Sequence, residues 1–364
     1  MFNSAESTNR EGLNYASLTK STDFSWTLDN LIYYNRTIGK HDFGFTFLQT
    51  ATKYEYEANN MSGEGIPLES SLWNAFKSLS SLKSWESSLT EKQLLSYMAR
   101  MNYTYKGRYM LTASVRRDGA SQLADGHKWA TFPSVALGWR IDQEEFLKEI
   151  SWISQLKLRL GYGVTGNNDF DASYMANTLS RDQYWMLPSG SWAYVYGPSS
   201  NVNPYLGWEE KKEWNIGVDY SFFGNRMYGK FDYYRRKIDG MIYEVNVPQP
   251  PYPNGKQWQN IGEMESKGWE FEVGGDIIQN KDFTWTSSLN MSHNSGKILT
   301  MYGNNSRMDG NAMDEPGWPG DAARIEEGAE IGAFHMWKFA GFDDKGDFLC
   351  TIRMVRLYLL PRRV

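Results

Sequence analysis

The chain has 364 residues, of which 15% are aromatic, and carries a net charge of −5 with one cysteine. A single cysteine excludes an internal disulfide framework or thiolate metal centre, and the four histidines lack metal-ligand spacing. The weakly acidic balance, without a long basic run, argues against nucleic-acid binding. The chain also lacks the run of about 18 apolar residues that would predict a transmembrane helix.

Period-two alternation of apolar and polar residues predicts β-strands along most of the chain. Residues 1–21 are polar and are predicted to form a loop. The first strand begins near Phe24, and the second runs from Phe43 to about residue 57. Residues 58–92 are predicted to be a long loop with a helical turn or two at Leu72, Trp73, Phe76, Leu79 and Leu82. Further strands are predicted near 95–105, 108–116, 134–141, 156–162, 214–222, 231–247, 269–273, 283–291 and 332–342.

The alternation is clearest in residues 95–141. One side of these strands carries Tyr, Trp and aliphatic residues, such as Tyr103 and Trp139, and the other carries small polar residues and arginines, such as Arg116. A soluble sandwich would bury the apolar side between two layers. Aromatic residues near the strand ends are instead typical of a barrel strand with lipid outside and water inside, because such rings gather at the membrane interfaces.

Connector lengths alternate along the chain in the way that outer-membrane barrels require. The connector after each odd-numbered predicted strand through the ninth is short or modest, at 37–40, 106–107, 142–153, 223–225 and 279–281. The connectors after even-numbered strands are loops of about a dozen residues or more, such as 117–128 and 166–206. Residues 142–145 are predicted to start a short helical turn. The expected fold is therefore an all-β, antiparallel transmembrane β-barrel with long extracellular loops.

Several segments resemble, in this order, the C-terminal barrel half of SusC/RagA-type TonB-linked outer-membrane transporters. They are YKGRYMLTASVRRDGAS, FPSVALGWRI, EEFLK, LKLRLGYGVTGNN, NIGEMESKGWEFEV and FTWTSSLNMSHNSGKIL. Such transporters have a 22-stranded barrel, so the resemblance implies that the predicted strands, about 10–12, form a partial barrel of roughly half that size. It also implies a TonB-dependent receptor β-barrel domain at residues 1–348. The TonB-contacting segment and plug domain of the family are not visible in the sequence.

The resemblance further implies the partners of this chain and its place in the cell. These are a SusD-like surface lipoprotein, the TonB complex acting through the missing N-terminal part, outer-membrane lipid, and an oligosaccharide or peptide substrate for import. Residues 349–364 depart from the family pattern, since they are basic and end in Arg-Arg-Val. We expect a truncated or frame-shifted end there.

The sequence predicts no enzyme, cofactor or metal site, because adjacent acidic pairs such as Glu144-Glu145 are typical of turns. The candidate ligand-binding residues are the loop aromatics Trp185, Trp192, Tyr194 and Tyr196, since sugar rings pack their C–H faces on aromatic rings. Two alternatives stay open for these rings, which are an interface girdle and burial against neighbouring loops. Four arginines on the predicted lumen face could line a passage, contact a plug domain or pair with carboxylates: Arg100, Arg116, Arg140 and Arg159.

A second function is compatible with the composition, namely a secreted β-rich carbohydrate-binding or hydrolysing protein. Aromatic residues and carboxylates would then line a groove, and the apolar strand faces would be buried rather than turned to lipid. The position of the apolar faces distinguishes the two hypotheses.

Overall fold

The computed structural model describes residues 2–3, 14–67, 76–170, 175–176, 178–301, 307–309, 324–331, 338–352 and 356–359. Almost all of these residues lie in strands and their turns. The strands are β1 (Phe2–Asn3), β2 (Tyr15–Ile38), β3 (His41–Glu64), β4 (Ser81–Tyr105), β5 (Tyr109–Ala120), β6 (Trp129–Arg140), β7 (Ile153–Asn167), β8 (Leu179–Met186), β9 (Trp192–Pro198), β10 (Glu209–Phe222), β11 (Met227–Asp239), β12 (Ile242–Asn246), β13 (Lys256–Asn260), β14 (Glu263–Gln279), β15 (Thr284–Thr300), β16 (Arg307–Asp309), β17 (Arg324–Glu326), β18 (Lys338–Phe342), β19 (Phe348–Ile352) and β20 (Arg356–Leu359).

Eleven of these strands form one antiparallel sheet in the order β1-β2-β3-β4-β5-β6-β7-β10-β11-β14-β15. The hairpins β8–β9 and β12–β13 lie outside this sheet, as do β16–β17 and the three-stranded sheet β18-β19-β20. Because β1 and β15 do not pair with each other among the described residues, the sheet is an open part of a barrel. This arrangement confirms the predicted partial antiparallel barrel of about 10–12 strands.

Strands β2 and β3 are much longer than a membrane crossing requires. β2 and β3 have 24 residues each and pair continuously from Tyr15–Glu64 to Ile38–His41. A transmembrane strand needs only about 9–11 residues, so both continue beyond the hydrocarbon layer. The prediction of a loop over residues 1–21 is wrong for residues 2–3, which form β1, and for residues 15–21, which belong to β2.

The predicted loop over residues 58–92 is also wrong for most of its length. β3 ends at Glu64 and β4 begins at Ser81, so residues 65–80 connect them. Of the predicted helical turn, a 3-10 helix forms at Phe76–Ser78, whereas the prediction is wrong for Leu82, which lies in β4. Leu72 and Trp73 lie outside the described residues.

Tight turns connect the strands at one end of the sheet, called here the turn end. Between β4 and β5, Lys106 and Gly107 have φ values of 53° and 63°. Two successive positive φ angles define a type I′ turn, whose twist matches that of the paired strands. A 3-10 helix at Ile141–Gln143 and the helix α1 (Glu145–Lys148) connect β6 to β7, and they confirm the helical turn predicted there.

The opposite end, called here the loop end, carries the long connectors and most of the corrections. The predicted loop over 166–206 contains the hairpin β8–β9, and the predicted strand over 231–247 is divided into β11 and β12. The predicted loop over 117–128 is shorter, because β5 continues to Ala120. The predicted boundary between residues 348 and 349 falls inside β19.

Candidate functional site

One face of the main sheet is apolar from β2 to β15. The strand register places Leu137 opposite Leu160, and Leu160 opposite Ile216. Opposite residues of antiparallel strands project from the same face. These three side chains are 39% to 49% exposed, so no second layer covers them. The face therefore has the polarity of a lipid-facing barrel wall, and we call it the outward face.

Aromatic residues border the apolar band of the outward face at both ends. At the turn end, Tyr109 stacks with Tyr105 and Trp139, with ring centroids 6.4 and 6.5 Å apart. Towards the loop end, the rings of Tyr97 and Trp129 stack at 6.3 Å. Rings in these two positions match the aromatic girdles that mark the two membrane interfaces of outer-membrane barrels.

The inward face carries an ion-pair cluster that joins three strands. Arg159 of β7 donates to Asp219 of β10 at 2.8 Å and to Asp232 of β11 at 2.9 Å. Asp232 lies two strands away, so the guanidinium crosses β10 over Gly217, which has no side chain to obstruct it. The charge-assisted hydrogen bonds to two carboxylates hold the guanidinium in place and link the three strands.

Two of the other predicted lumen arginines are also paired. Arg116 donates to Asp118 at 2.7 Å, and Arg140 donates to Asp142 at 2.7 Å. Arg100 is exposed and forms no ion pair with the residues that the structure describes. Three of the four arginines thus pair with carboxylates, and among the described residues Arg100 is the one that does not.

The long connectors at the loop end pack against one another. Ala120, Leu123, Ala124 and Leu206 are 0% to 1% exposed and form a small apolar core between the β5–β6 and β7–β10 connectors. Trp208 packs on this core and donates its indole N–H to the carbonyl of Lys128 at 2.9 Å. This core makes the connectors a supported layer rather than separate loops.

Asparagine side chains attach residues 199–208 to the hairpin β12–β13. Asn203 donates to the carbonyl of Trp258 at 3.0 Å. Asn260 accepts from the amide of Gly207 at 2.8 Å and donates to the carbonyls of Gly207 and Gly240 at 3.0 and 2.9 Å. The segment 199–208 and β12–β13, together with the apolar core, are called the loop platform below.

The four predicted ligand-binding aromatics lie on the β8–β9 hairpin beside the loop platform. Trp185, Trp192 and Tyr196 are 66% to 67% exposed, and Tyr194 is 50% exposed. The register pairs Trp185 with Ala193. Because side chains alternate along a strand, Trp185 projects from the face opposite to that of Trp192 and Tyr194. The structure therefore brings Trp192, Tyr194 and Tyr196 together along β9 and separates Trp185 from them.

Glu144, in the β6–β7 connector, joins three side chains at the turn end. Its Oε1 accepts from the hydroxyl of Tyr109 at 2.6 Å and from the indole N–H of Trp139 at 3.0 Å, and its Oε2 accepts from Arg108 at 2.6 Å. The hydrogen bond from Tyr109, followed by those from Trp139 and Arg108, holds the pKa of Glu144 below its usual range. The sequence predicted only a turn here, since nothing in the order of residues indicates these contacts.

No helix among the described residues is long and apolar enough to cross a membrane. The same residues contain no group of three or more His, Cys, Asp or Glu side chains that could hold a metal ion.

Comparison with known proteins identifies the sheet. Residues 2–333 match the family described as TonB dependent receptor-like, beta-barrel. The chain belongs to this family. It is 33% identical to TonB-dependent receptor SusC of Bacteroides thetaiotaomicron over 290 residues, which are 78% of this chain and 28% of that receptor. It is 30% identical to TonB-dependent receptor P39 of Formosa agariphila over 338 residues, which are 90% of this chain and 30% of that receptor.

Solved structures agree with this assignment. The structure of the RagAB peptide transporter matches with a TM-score of 0.81 and 25% identity, over 97% of this chain and 38% of that one. This chain thus spans about a third of the length of the receptors that it matches. The match confirms the predicted resemblance to SusC/RagA-type receptors and the outer-membrane location. The family consists of receptors and transporters rather than enzymes. Membership in it does not favour the alternative of a secreted β-rich carbohydrate-binding or hydrolysing protein.

Proposed function

We propose that this chain forms part of the wall and outer loops of a TonB-dependent importer of oligosaccharides or peptides. The observation that carries the proposal is the two-sided sheet, with an apolar, girdled outward face and an inward face of ion pairs such as Arg159–Asp219. Such a sheet is suited to separate lipid from an aqueous passage. A plug domain and a TonB-contacting segment would come from sequence outside this chain.

We further propose that the loop end captures the substrate and meets a SusD-like surface lipoprotein. The relationship to SusC and to RagAB, which is described as a peptide transporter, supports both the partner and the substrate classes. Within the loop end, the β9 face with Trp192, Tyr194 and Tyr196 is proposed to contact the ligand, because three exposed rings in a row offer a stacking surface for sugar rings or apolar side chains. Trp185 is proposed to contribute less, since it projects from the other face.

Uptake by whole cells tests the proposed function. Cells in which the gene for this chain is disrupted would be supplied with defined oligosaccharides or defined peptides as the limiting nutrient, and growth would be compared with the parent strain. We expect growth on one of the two classes to be lost, and to return with the intact gene only when the TonB complex is active. Unchanged uptake of both classes in the disrupted strain would contradict the proposal.

A further inference from the structure

The outward face contains an apolar groove between β2 and β5, with a volume of about 440 Å³. Ile32, Phe47, Tyr97 and Val115 form its walls, and Ala99 forms its floor. The register places Ala99 directly between Phe47 and Val115. A methyl side chain between two large ones leaves a hollow, and the apolar lining of this hollow in the lipid-facing band suits an acyl chain.

Arg117 lies at the loop-end limit of this groove. It pairs with Tyr97 on the neighbouring strand, and its guanidinium carbon lies 5.7 Å from the ring centroid of Trp129. Both rings belong to the aromatic border of the apolar band. Arg117 is eight residues from Tyr109, which at 3.4 Å per residue places it roughly 27 Å along β5 from the other border. Because strands of such barrels are tilted by about 35–45°, this length corresponds to roughly 20 Å across the membrane. Arg117 lies at the aromatic border formed by Tyr97 and Trp129, and such a border marks the level of the lipid headgroups.

Arg117 is exposed and has no carboxylate partner among the residues that the structure describes. A second hollow lies immediately towards the loop end, lined in part by Trp26, Trp129 and two lysines. Both lysines are already neutralised: Lys53 by Glu55 and Glu91 at 2.8 and 2.9 Å, and Lys128 by Asp125 at 2.7 Å. Among the described cations that line these two hollows, Arg117 is thus the one without a carboxylate partner, and it lies at the loop-end limit of the apolar groove.

We propose that this surface is a specific site for an anionic outer-leaflet lipid, with an acyl chain in the groove over Ala99 and a phosphate on Arg117. A molecule that fills both the groove and the position at Arg117 must have an apolar chain below the aromatic border and an anionic group at the border. Arginine binds phosphate oxygens through two parallel N–H donors, and stacking on Trp129 orients the guanidinium for this geometry. The site goes beyond general lipid contact because it selects a headgroup charge and a chain position.

Lipid retention by the complete receptor that contains this chain tests the site. The purified receptor would be incubated in detergent with equal amounts of phosphatidylglycerol and phosphatidylcholine, washed, and examined by native mass spectrometry. We expect the unmodified receptor to retain phosphatidylglycerol preferentially. Arg117→Gln should lower that retention at least about fivefold, because it removes a charge-assisted hydrogen-bond donor. Arg117→Lys should restore part of it.

Matched variants separate the two parts of the site. Lys267→Gln removes an exposed outward cation from β14 at the loop-side border, away from the groove, and should leave retention unchanged. Ala99→Phe fills the groove and should lower retention of both lipids about fivefold. Ala113→Phe adds the same ring to the outward face outside the groove lining and should have little effect.

Three results would overturn the proposal. The first is equal retention of the two lipids by the unmodified receptor. The second is wild-type retention by both Arg117→Gln and Ala99→Phe, with heat-modifiable gel migration showing that each variant is folded. The third is displacement of the retained lipid by excess inorganic phosphate, which would identify a free-anion site instead. Because the readout is bound lipid, the result does not depend on which nutrient the receptor imports.

Discussion

Gly217 lies so close to Arg159 that a Cβ atom built on it would be 2.7 Å from Nη2 of the arginine. The same Cβ would also overlap Oδ1 of Asp232. The glycine is therefore the opening through which the guanidinium of β7 reaches a carboxylate on β11. Its φ angle is not in the left-handed region, so the requirement at this position is one of space.

We expect Gly217→Ala to destabilise the barrel wall by about 1–3 kcal/mol, the usual cost of an added methyl group in a filled site. The added methyl must displace Arg159, whose partners Asp219 and Asp232 would then repel each other. Gly163→Ala is the matched control, because a Cβ there would meet only the Cβ of Ser134, at 3.5 Å. Urea unfolding of both variants in detergent measures the difference, and equal midpoints would contradict the prediction.

Acidification should weaken the contact of Glu144 with Tyr109, Trp139 and Arg108. Since the pKa of Glu144 is lowered in the folded protein, its stabilising effect is present above the unfolded-state pKa of about 4.3 and is lost as the pH falls through the folded-state pKa. Glu144→Gln should therefore lower the melting temperature at neutral pH and converge with the unmodified protein in acid.

The control for this pH dependence is Glu149→Gln, which changes an exposed glutamate of the same connector. Its melting curve should follow that of the unmodified protein at every pH. A constant difference between Glu144→Gln and the unmodified protein down to strongly acidic pH would show that the charge of Glu144 is not what stabilises this turn.

Removal of the β9 rings should weaken substrate binding. Trp192→Ala and Tyr194→Ala are each expected to raise the dissociation constant about threefold to tenfold, in line with 0.5–1.5 kcal/mol per aromatic contact. Trp185→Ala should change it less than twofold, because Trp185 projects from the other face of the hairpin. Calorimetric titration with the imported oligosaccharide or peptide measures all three, and an effect confined to Trp185→Ala would assign the ligand to the opposite face.

Asn260 should be necessary for the order of the loop platform. Asn260→Ala removes hydrogen bonds to Gly207 and Gly240 and leaves their backbone groups without these partners, at a local cost of about 1–3 kcal/mol. We expect limited proteolysis within residues 168–208 to become roughly tenfold faster. Asn246→Ala, at an exposed position on the same hairpin, should be cleaved at the original rate.

The membrane-spanning part of the fold could be predicted because lipid and water impose opposite demands on alternate residues. This constraint predicts which residues of β5 and β6 lie on the apolar face and which on the polar face. It also predicts the tight turn at Lys106-Gly107. The alternation no longer identifies a strand where the strands leave the membrane, since both faces of a strand in water can be polar. For that reason the sequence predicts loops over residues 15–21 of β2 and 81–92 of β4, although both strands are paired along their length.

The candidate site could be predicted only in part. The aromatic content of residues 185–196 indicated a binding surface, but the division of its rings between two faces depends on the β8–β9 register, which a one-residue shift would reverse. The sequence predicts that Arg117 begins a loop, whereas β5 continues through it to Ala120. Continued alternation from Val115 through Arg117 was the signal that could have placed it on the outward face.

The loop platform has a consequence for how such receptors can change their specificity. Asn203 and Asn260 bind the main-chain groups of Trp258, Gly207 and Gly240, and these groups are present whatever side chains surround them. Mutations can therefore accumulate in the β8–β9 hairpin while the asparagines keep the adjoining loop platform intact. A randomised library limited to residues 179–198 would explore new cargoes at little risk to folding, which makes this hairpin the natural starting point for directed evolution of uptake.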